Sequence, residues 1–158
     1  MCQYCGCQDI ETIGRLMEEH LQIQNCCGSV KTCIERGDTA RAYDTVVHLA
    51  QILRVHNAVE EGALYPAMNR FEEYAEKTAV LYDEHDDVDA VIDEILDLGR
   101  SGRADQIDWT SALATFDVLY EHIIHEDNGL FPAAAVALDA QDWERCERAR
   151  SDEENAER

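Results

Sequence analysis

The chain has 158 residues, of which 46% are hydrophobic, and a single domain of this length can bury a core without disulfide bonds. Its 34 acidic residues outnumber 13 basic ones, and the net charge of −21 repels phosphate backbones and anionic lipids. No binding to nucleic acid or to a membrane is therefore expected. No apolar stretch approaches the roughly 20 residues that cross a bilayer, and the N-terminus lacks a signal-peptide pattern, so we predict a cytoplasmic protein with reduced cysteines.

Helical periodicity begins near Ile13, and no stretch shows the sustained alternation of a strand. The first predicted helix places apolar residues and His20 at intervals of three and four, and it ends where residues 36–38 (Arg-Gly-Asp) interrupt the pattern. The second predicted helix begins near Thr39 and keeps the same spacing up to Pro66. Because proline lacks a backbone N–H, we expect the helix to kink or end there.

Two further amphipathic helices follow. The third is predicted from about Arg70 to Leu98 and ends at the glycine-containing turn GRSGRAD, and the fourth runs from about Asp108 to Pro132. Short breaks between four long helices predict an all-α fold, an up-down-up-down antiparallel four-helix bundle with a short C-terminal helical extension.

The bundle is expected over residues 10–138, and both ends of the chain differ from it. Residues 1–9 contain Cys2, Cys5 and Cys7, a spacing suited to a soft metal or to thiol redox chemistry, although three thiols at a chain end are also consistent with no function. Residues 139–158 form an acidic polar helix or tail. Its last residues are expected to be frayed, and we assign no chemistry to it.

The chain contains an internal repeat. HNAVEEGALYP at residues 56–66 matches HIIHEDNGLFP at residues 122–132, so that His56 and Glu60 correspond to His122 and Glu126. Each of these helices follows a helix with one histidine on its apolar face, His20 or His85. At 1.5 Å per residue, His20 and His56 each lie roughly 26 to 28 Å from the first turn, so four imidazoles are predicted to meet in one layer of the core.

Two carboxylates share this layer, because residues four apart lie on the same side of a helix. An ionised buried carboxylate without a partner costs several kcal/mol, and a domain with roughly 5 to 15 kcal/mol of stability does not tolerate two. A bound cation resolves the conflict. Six nitrogen and oxygen ligands without a thiolate exceed what tetrahedral zinc takes, so iron is favoured, with manganese second. The predicted ligands are His20, His56, Glu60, His85, His122 and Glu126.

The motifs EEH (18–20), HNAVEEGALYP, DEHDDV (83–88) and HIIHEDNGLFP in this order resemble the hemerythrin family, specifically its HHE-domain branch, over about residues 10 to 135. The resemblance implies a non-haem centre of two iron ions with an oxo or hydroxo bridge, in which the four histidines supply imidazoles and Glu60 and Glu126 bridge or chelate the ions. A second, fainter similarity links NCCGSVKTC (25–33) to a Cys-Cys-Gly element of repair-of-iron-centres proteins. Cys27 lies within the first helix, however, and a packing role is expected for it.

The sequence departs from the oxygen-carrying hemerythrins, which have a fifth histidine one turn from the one on the third helix. The positions one turn either side of His85 are Leu81 and Asp89. Four side chains lie within a turn of the predicted ligands and can occupy the position of the missing histidine. They are expected to lie outside it, and they are Glu61, Tyr82, Asp89 and His125. His48 is rotated by about 80° from His56 and is expected outside the site.

The missing ligand favours reactive or sensing chemistry over oxygen storage. The first hypothesis is a protein that binds or reacts with O2, NO or peroxide in oxidative or nitrosative stress, with enzymatic processing of peroxide or nitric oxide left open. The second is a non-enzymatic iron or oxygen sensor. The third is an iron donor or iron-sulfur repair protein that uses the N-terminal thiols. A monomer or weak homodimer is expected.

Overall fold

A computed structural model describes residues 6–156 of the chain. This range is helical and contains no strand, which confirms the all-α prediction. Its α-helices are α1 (Glu11–Glu35), α2 (Thr39–Val59), α3 (Tyr65–Met68), α4 (Glu72–Arg100), α5 (Trp109–His125), α6 (Phe131–Ala137) and α7 (Ala140–Ala156).

Local chemistry sets the ends of the long helices. The side chain of Asp38 accepts a hydrogen bond from the backbone N–H of Arg41, and Asp108 accepts from two backbone N–H groups at the start of α5. Gly37 ends α1 with a φ of 74°, a left-handed conformation that glycine adopts without steric cost. The predicted starts near Thr39 and Asp108 therefore have a clear physical origin.

The backbone stays helical through both prolines. A π-helical turn, the first π segment (Glu60–Leu64), joins α2 to α3, and the second π segment (Glu126–Leu130) joins α5 to α6. The N–H of Tyr65 bonds to the carbonyl of Glu60, and that of Phe131 to the carbonyl of Glu126. The wider turn before each proline accommodates its missing N–H. Of the two outcomes expected at Pro66, a kink or an end, the helix does not end there but continues to Met68.

Helices α1, α2, α4 and α5 enclose a first apolar cluster, and a second lies where α1 meets α3, α6, α7 and the two π segments. α1 packs on α2 and α5, and α4 packs on the same two helices. One cluster is represented by Ile23, Leu49 and Leu119, and the other includes Leu81 and Leu130. In α1, α2 and α4 the two clusters occupy different stretches of sequence with a predicted histidine between them, and in α5 His122 lies near the end of the first cluster. A polar layer thus separates the two halves of the core.

Helix α7 is an ordered part of the molecule. It packs against α1, α2 and the first π segment, and it buries Asp142, Cys146 and Arg150, which are spaced four residues apart on one face. The expectation of frayed residues is wrong as far as Ala156, because this one buried face holds an otherwise charged helix against the bundle. The same spacing was visible in the sequence beneath the high density of charge.

The structure places the cysteines differently from the prediction. Cys26 and Cys33 are buried in α1, whereas Cys27, expected on the inner face, is half-buried. Cys7 is buried in a 3₁₀ turn at residues 7–9 and packs in the second apolar cluster. Cys2 and Cys5 lie outside the described residues. None of the helices within residues 6–156 is both long enough and apolar enough to span a membrane.

Candidate metal centre

Six polar side chains form the layer between the two apolar clusters. Each of them is at most 3% exposed, and the set comprises His20, His56, Glu60, His85, His122 and Glu126. The α1, α2, α4 and α5 helices each contribute one histidine, and each π segment contributes the glutamate at its first position. The structure thus brings together all six residues that the sequence nominated, while metal ligation by them stays a prediction.

The six side chains divide into two overlapping groups. His20, His56, Glu60 and Glu126 offer ligand atoms that all lie within 4.8 Å of one another, and Glu60, His85 and His122 do the same. Glu60 belongs to both groups. Two neighbouring cations, each held by one pair of histidines, would therefore share this carboxylate.

Both glutamates lie between the two histidine pairs. The Oε2 atom of Glu60 is 3.3 Å from Nε2 of His56 and 3.4 Å from Nε2 of His85. The Oε2 atom of Glu126 is 3.2 Å from Nε2 of His20 and 3.2 Å from Nε2 of His122. Each carboxylate therefore contacts one imidazole from each pair, which is the placement that a bridging ligand requires.

The outer nitrogen of every histidine in the layer contacts a carboxylate. The Nδ1 atoms of His20, His56, His85 and His122 lie 2.8, 3.0, 2.7 and 2.8 Å from Asp127, Glu19, Glu61 and Glu84, respectively. A carboxylate only accepts hydrogen bonds, so each Nδ1 carries a proton and Nε2 is the nitrogen left to face a metal ion. Carboxylate partners of this kind fix the tautomer and orientation of metal-binding histidines.

These four carboxylates follow the internal repeat. Glu19 and Glu84 directly precede a histidine of the layer, and Glu61 and Asp127 directly follow a glutamate of the layer. Each of the first pair binds a histidine in its own half of the chain, and each of the second pair binds one in the other half. Sequence analysis assigned no such role to Glu19, Glu84 or Asp127. The signal was the duplicated acidic neighbour beside each predicted ligand.

The layer leaves inward-facing atoms that need a cation. Nε2 of His85 and Nε2 of His122 are 3.0 Å apart, so a proton or a metal ion is needed to offset the repulsion between their lone pairs. Nε2 of His20, Oε1 of Glu60 and Oε2 of Glu126 are buried without a hydrogen-bond partner of good geometry. Because a buried polar atom without a partner is costly, these orphaned atoms fit a metal that accepts nitrogen and oxygen ligands.

Electrostatics leads to the same conclusion. Burial lowers the pKa of His20, but its contacts with the carboxylates of Asp127 and Glu126 outweigh burial and raise the pKa to about 10. Burial likewise lowers the pKa of His122, and the charge of Glu126 outweighs it and raises the pKa to about 9. The two carboxylates therefore attract positive charge strongly, whether it is brought by protons or by metal ions.

Tyr65 is the residue of the centre that sequence analysis missed. Its buried hydroxyl donates to Oε1 of Glu126 at 2.5 Å, lies 3.2 Å from Oε2 of Glu60, and is 3.3 Å from Nε2 of His85. Burial and the two carboxylates raise its pKa well above the usual value, so the phenol keeps its proton. In the second repeat Phe131 occupies this place and stacks on His20 with ring centroids 5.3 Å apart. Tyr65 was visible only as the aromatic residue before the first proline.

The side chains considered for the missing fifth histidine lie outside the layer. Tyr82 donates to the backbone carbonyl of Glu61, and Glu61 itself contacts the outer nitrogen of His85. Asp89 is exposed and accepts from Asn57 at 3.4 Å. His125 and His48 are exposed, and Leu81 is buried in an apolar cluster.

Helical packing around a buried cage of histidines and carboxylates defines a metal-binding helical domain. A comparison with known protein families matches residues 11–134 to the Hemerythrin HHE cation binding domain, and the chain belongs to that family. The matched range runs from the start of α1 into the first half of α6 and leaves α7 outside it. Searches of curated proteins and of solved structures found no match.

Proposed function

We propose that this protein binds two iron ions in the buried layer and uses them to bind or react with O2, NO or peroxide. The observation that carries the proposal is the position of the two glutamates, each 3.2 to 3.4 Å from one histidine of either pair. In this proposal His20 and His56 hold one ion, His85 and His122 hold the other, and Glu60 and Glu126 bridge them within an up-down-up-down four-helix bundle.

The donor set supports iron over zinc, and over manganese as the second choice. Imidazole and carboxylate ligands suit iron, and six ligands without a thiolate do not suit tetrahedral zinc. When bound, a pair of iron ions supplies redox chemistry and positions at which a small molecule binds. The protein's contribution is the arrangement of ligands and the exclusion of water by the two apolar clusters.

Tyr65 supports reaction in preference to storage. Its O–H lies at the layer beside His85, where it is placed to donate a hydrogen bond or a proton to an oxygen or nitrogen atom of a bound small molecule. The matching residue in the second repeat, Phe131, has no hydroxyl group. Of these two positions, only that of Tyr65 therefore offers a proton donor to the centre. Leu81 and Asp89 provide no histidine there.

The test is metal analysis with Mössbauer spectroscopy of the iron-loaded protein, followed by addition of peroxide and of nitric oxide. We expect about two iron ions per chain and a change in the charge-transfer bands of the centre with each reagent. Substitution of Glu126→Gln removes a bridging carboxylate at nearly constant volume and is expected to reduce the iron content. Zinc as the bound metal, or iron whose spectrum responds to neither reagent, would contradict the proposal.

A sensor function is the second candidate, and the buried charge of Glu60 and Glu126 favours it. Loss of the metal leaves these carboxylates without their counter-charge, so the structure around them is expected to loosen. Hydrogen exchange of the iron-free and iron-loaded forms measures this directly. Equal protection around His56 and His122 in both forms would exclude the sensor. An iron-donor role is less favoured, because Cys7, one of its three thiols, is buried.

Cytoplasmic location and a monomeric or weakly dimeric state remain predictions of the same proposal. Size-exclusion chromatography with light scattering, carried out with and without iron, tests the second of these. A stable higher oligomer would contradict it.

A further inference from the structure

One residue of α7 reaches the metal centre through a single intermediate. Arg150 is 4% exposed, and its two terminal nitrogens donate to the two oxygens of Glu19, with Nη2 3.1 Å from Oε2 and Nη1 closer to Oε1. The same Oε2 atom accepts from Nδ1 of His56 at 3.0 Å. A continuous chain of contacts therefore joins α7 to a predicted metal ligand.

The arginine contact distinguishes Glu19 from the other three carboxylates that bind outer histidine nitrogens. Within residues 6–156, Asp127, Glu61 and Glu84 form ion pairs with histidine but with no lysine or arginine. Glu19 alone is held by a guanidinium on its far side. The internal repeat, which duplicates the histidines, the two glutamates and the four outer carboxylates, is broken at this point.

A guanidinium that binds both oxygens of a carboxylate fixes the plane of that carboxylate as well as its position. Glu19 can then present only one direction to Nδ1 of His56. Glu19 is thus held between the guanidinium on one side and the imidazole on the other, and its Oε2 atom contacts both. The acceptor is therefore kept in one orientation.

The packing of α7 on the bundle fixes the position of Arg150 beside Glu19. A Cβ atom at Gly62, in the first π segment, would lie 3.7 Å from Cβ of Ala149, which shows how closely the two elements approach. Farther along α7, Glu153 forms an ion pair with Arg54 of α2. Residues on both sides of Arg150 thus fix its position relative to Glu60 and His56.

We propose that Arg150 is a positioning residue of the metal centre, which orients His56 through Glu19 and makes the ion held by His20 and His56 differ from the ion held by His85 and His122. The inference rests on the proposed two-ion centre and adds that α7, which lies outside the family match, belongs to that centre. Without Arg150, the carboxylate of Glu19 can rotate and the imidazole of His56 loses its fixed partner.

The experiment uses the full chain loaded with two equivalents of ⁵⁷Fe(II) under anaerobic conditions. Arg150→Met removes the guanidinium while keeping much of the side-chain length, and Arg150→Lys keeps the charge without the two-pronged contact. Release of iron into a ferrous chelator is followed in time, and Mössbauer spectra report the two ions separately. Loss of a partner of a metal-binding histidine weakens binding by about 10 to 100-fold, and Arg150 acts one contact farther away.

For Arg150→Met we therefore expect one iron to be released about 10-fold faster, the other to be released at the unchanged rate, and one of the two quadrupole doublets to shift. Arg150→Lys is expected to fall between this variant and the wild type. Glu84→Gln, which alters the partner of His122, is expected to affect the other doublet. Arg148→Met changes an exposed arginine on the same helix and serves as the matched control with no expected effect.

Equal acceleration of both irons by Arg150→Met, or release identical to that of Arg148→Met, would overturn the inference. Should Arg150→Met fail to fold, Glu19→Gln and Arg150→Lys provide the same comparison, and a shift of both doublets by equal amounts would overturn it. The outcome for the proposed function is separate. A wild-type chain that binds no iron contradicts the two-ion centre, whereas a chain that binds two irons without this asymmetry contradicts only the role of Arg150.

Discussion

At the scale of single residues, the duplicated halves of the chain differ where reactivity is expected. The histidines, the shared glutamates and the four outer carboxylates are paired by the repeat, but Tyr65 is paired with Phe131 and only Glu19 contacts an arginine. A symmetric cage suffices to hold two metal ions. The unpaired groups are the ones that can make the two ions behave differently.

Tyr65→Phe tests the role of the phenol. The variant keeps the ring, and we expect it to retain its iron but to react with peroxide about 100-fold more slowly, because it lacks a positioned proton donor. Stopped-flow absorption of the iron-loaded protein measures the rate. Tyr82→Phe is the control, since its hydroxyl binds a backbone carbonyl and not the centre. Equal rates for the two variants would show that the hydroxyl of Tyr65 takes no part in the reaction.

Glu84→Ala tests the outer carboxylates. It leaves Nδ1 of His122 without its acceptor at 2.8 Å, and we expect metal affinity to fall by about 10 to 100-fold. Competition titration against a chelator of known affinity measures the change. Asp83→Ala, at an adjacent exposed position, supplies the control for the loss of one negative charge. A similar loss of affinity in both variants would mean that net charge, and not the contact to His122, is responsible.

At the scale of secondary-structure elements, the π segments and α7 position the centre. Each π segment begins at a shared glutamate and ends immediately before the aromatic residue that precedes proline. The added residue in this turn changes the direction of the side chains that follow. Tyr65, five residues after Glu60, therefore points toward the glutamates of the layer. α7 covers the first π segment from outside.

Asp142→Asn tests how α7 is attached. Asp142 accepts from Arg70 at 2.6 Å and from the backbone N–H of Asp139 at 3.1 Å. Burial raises its pKa, but these contacts outweigh that effect and lower the pKa below its usual value. Because the pKa is lower in the folded state, the charged group stabilises the fold above the unfolded pKa of about 3.9, and this contribution is lost as the pH falls through the folded value.

We therefore expect Asp142→Asn to lower the free energy of unfolding by about 1.5 to 3 kcal/mol at pH 7, and by less as the pH falls below about 4. Urea denaturation of the metal-free protein at several pH values measures this difference without a contribution from the centre. Asp152→Asn, at an exposed position of the same helix, is expected to have little effect. A deficit that stays constant down to pH 3 would contradict the electrostatic explanation.

At the scale of the whole molecule, two apolar clusters surround one charged layer. The clusters exclude water from both sides of the layer, which strengthens the interaction of its carboxylates with any cation. The surrounding surface is strongly acidic, with a net charge of −21, and this field attracts cations from solution. The fold therefore favours metal loading but becomes costly when the layer holds no positive charge.

Metal removal tests this arrangement. A metal that binds only the folded state stabilises it by about 4 kcal/mol when its free concentration is 1,000 times the dissociation constant. For a domain of this size we expect chelation to lower the Tm by roughly 8 to 16 °C. Calorimetry at matched ionic strength measures the shift, and His56→Ala, which removes a predicted ligand, is expected to respond much less. Identical Tm values for chelated and iron-loaded wild type would show that the layer holds no stabilising ion.

The helical fold and the six residues of the layer were predictable from the sequence alone. Both conclusions follow from spacing, because a helix brings residues three and four apart to one face, and histidine and glutamate on an apolar face stand out against their neighbours. His56 and Glu60 are repeated as His122 and Glu126, and this repeat indicated that both pairs lie at the same level of the core. These are short-range regularities that a linear pattern records directly.

The groups that surround these six residues depend on packing between helices and were not predictable from the sequence. The contacts of Glu19 with His56, and of Asp127 with His20, join different helices, and no spacing rule predicts which acidic residue of many will face a given imidazole. Tyr65 entered the layer because a π turn changed its direction, and Arg150 reached Glu19 because α7 packs across α1 and α2. Helical periodicity selects the residues of a face, whereas packing between distant segments selects their partners.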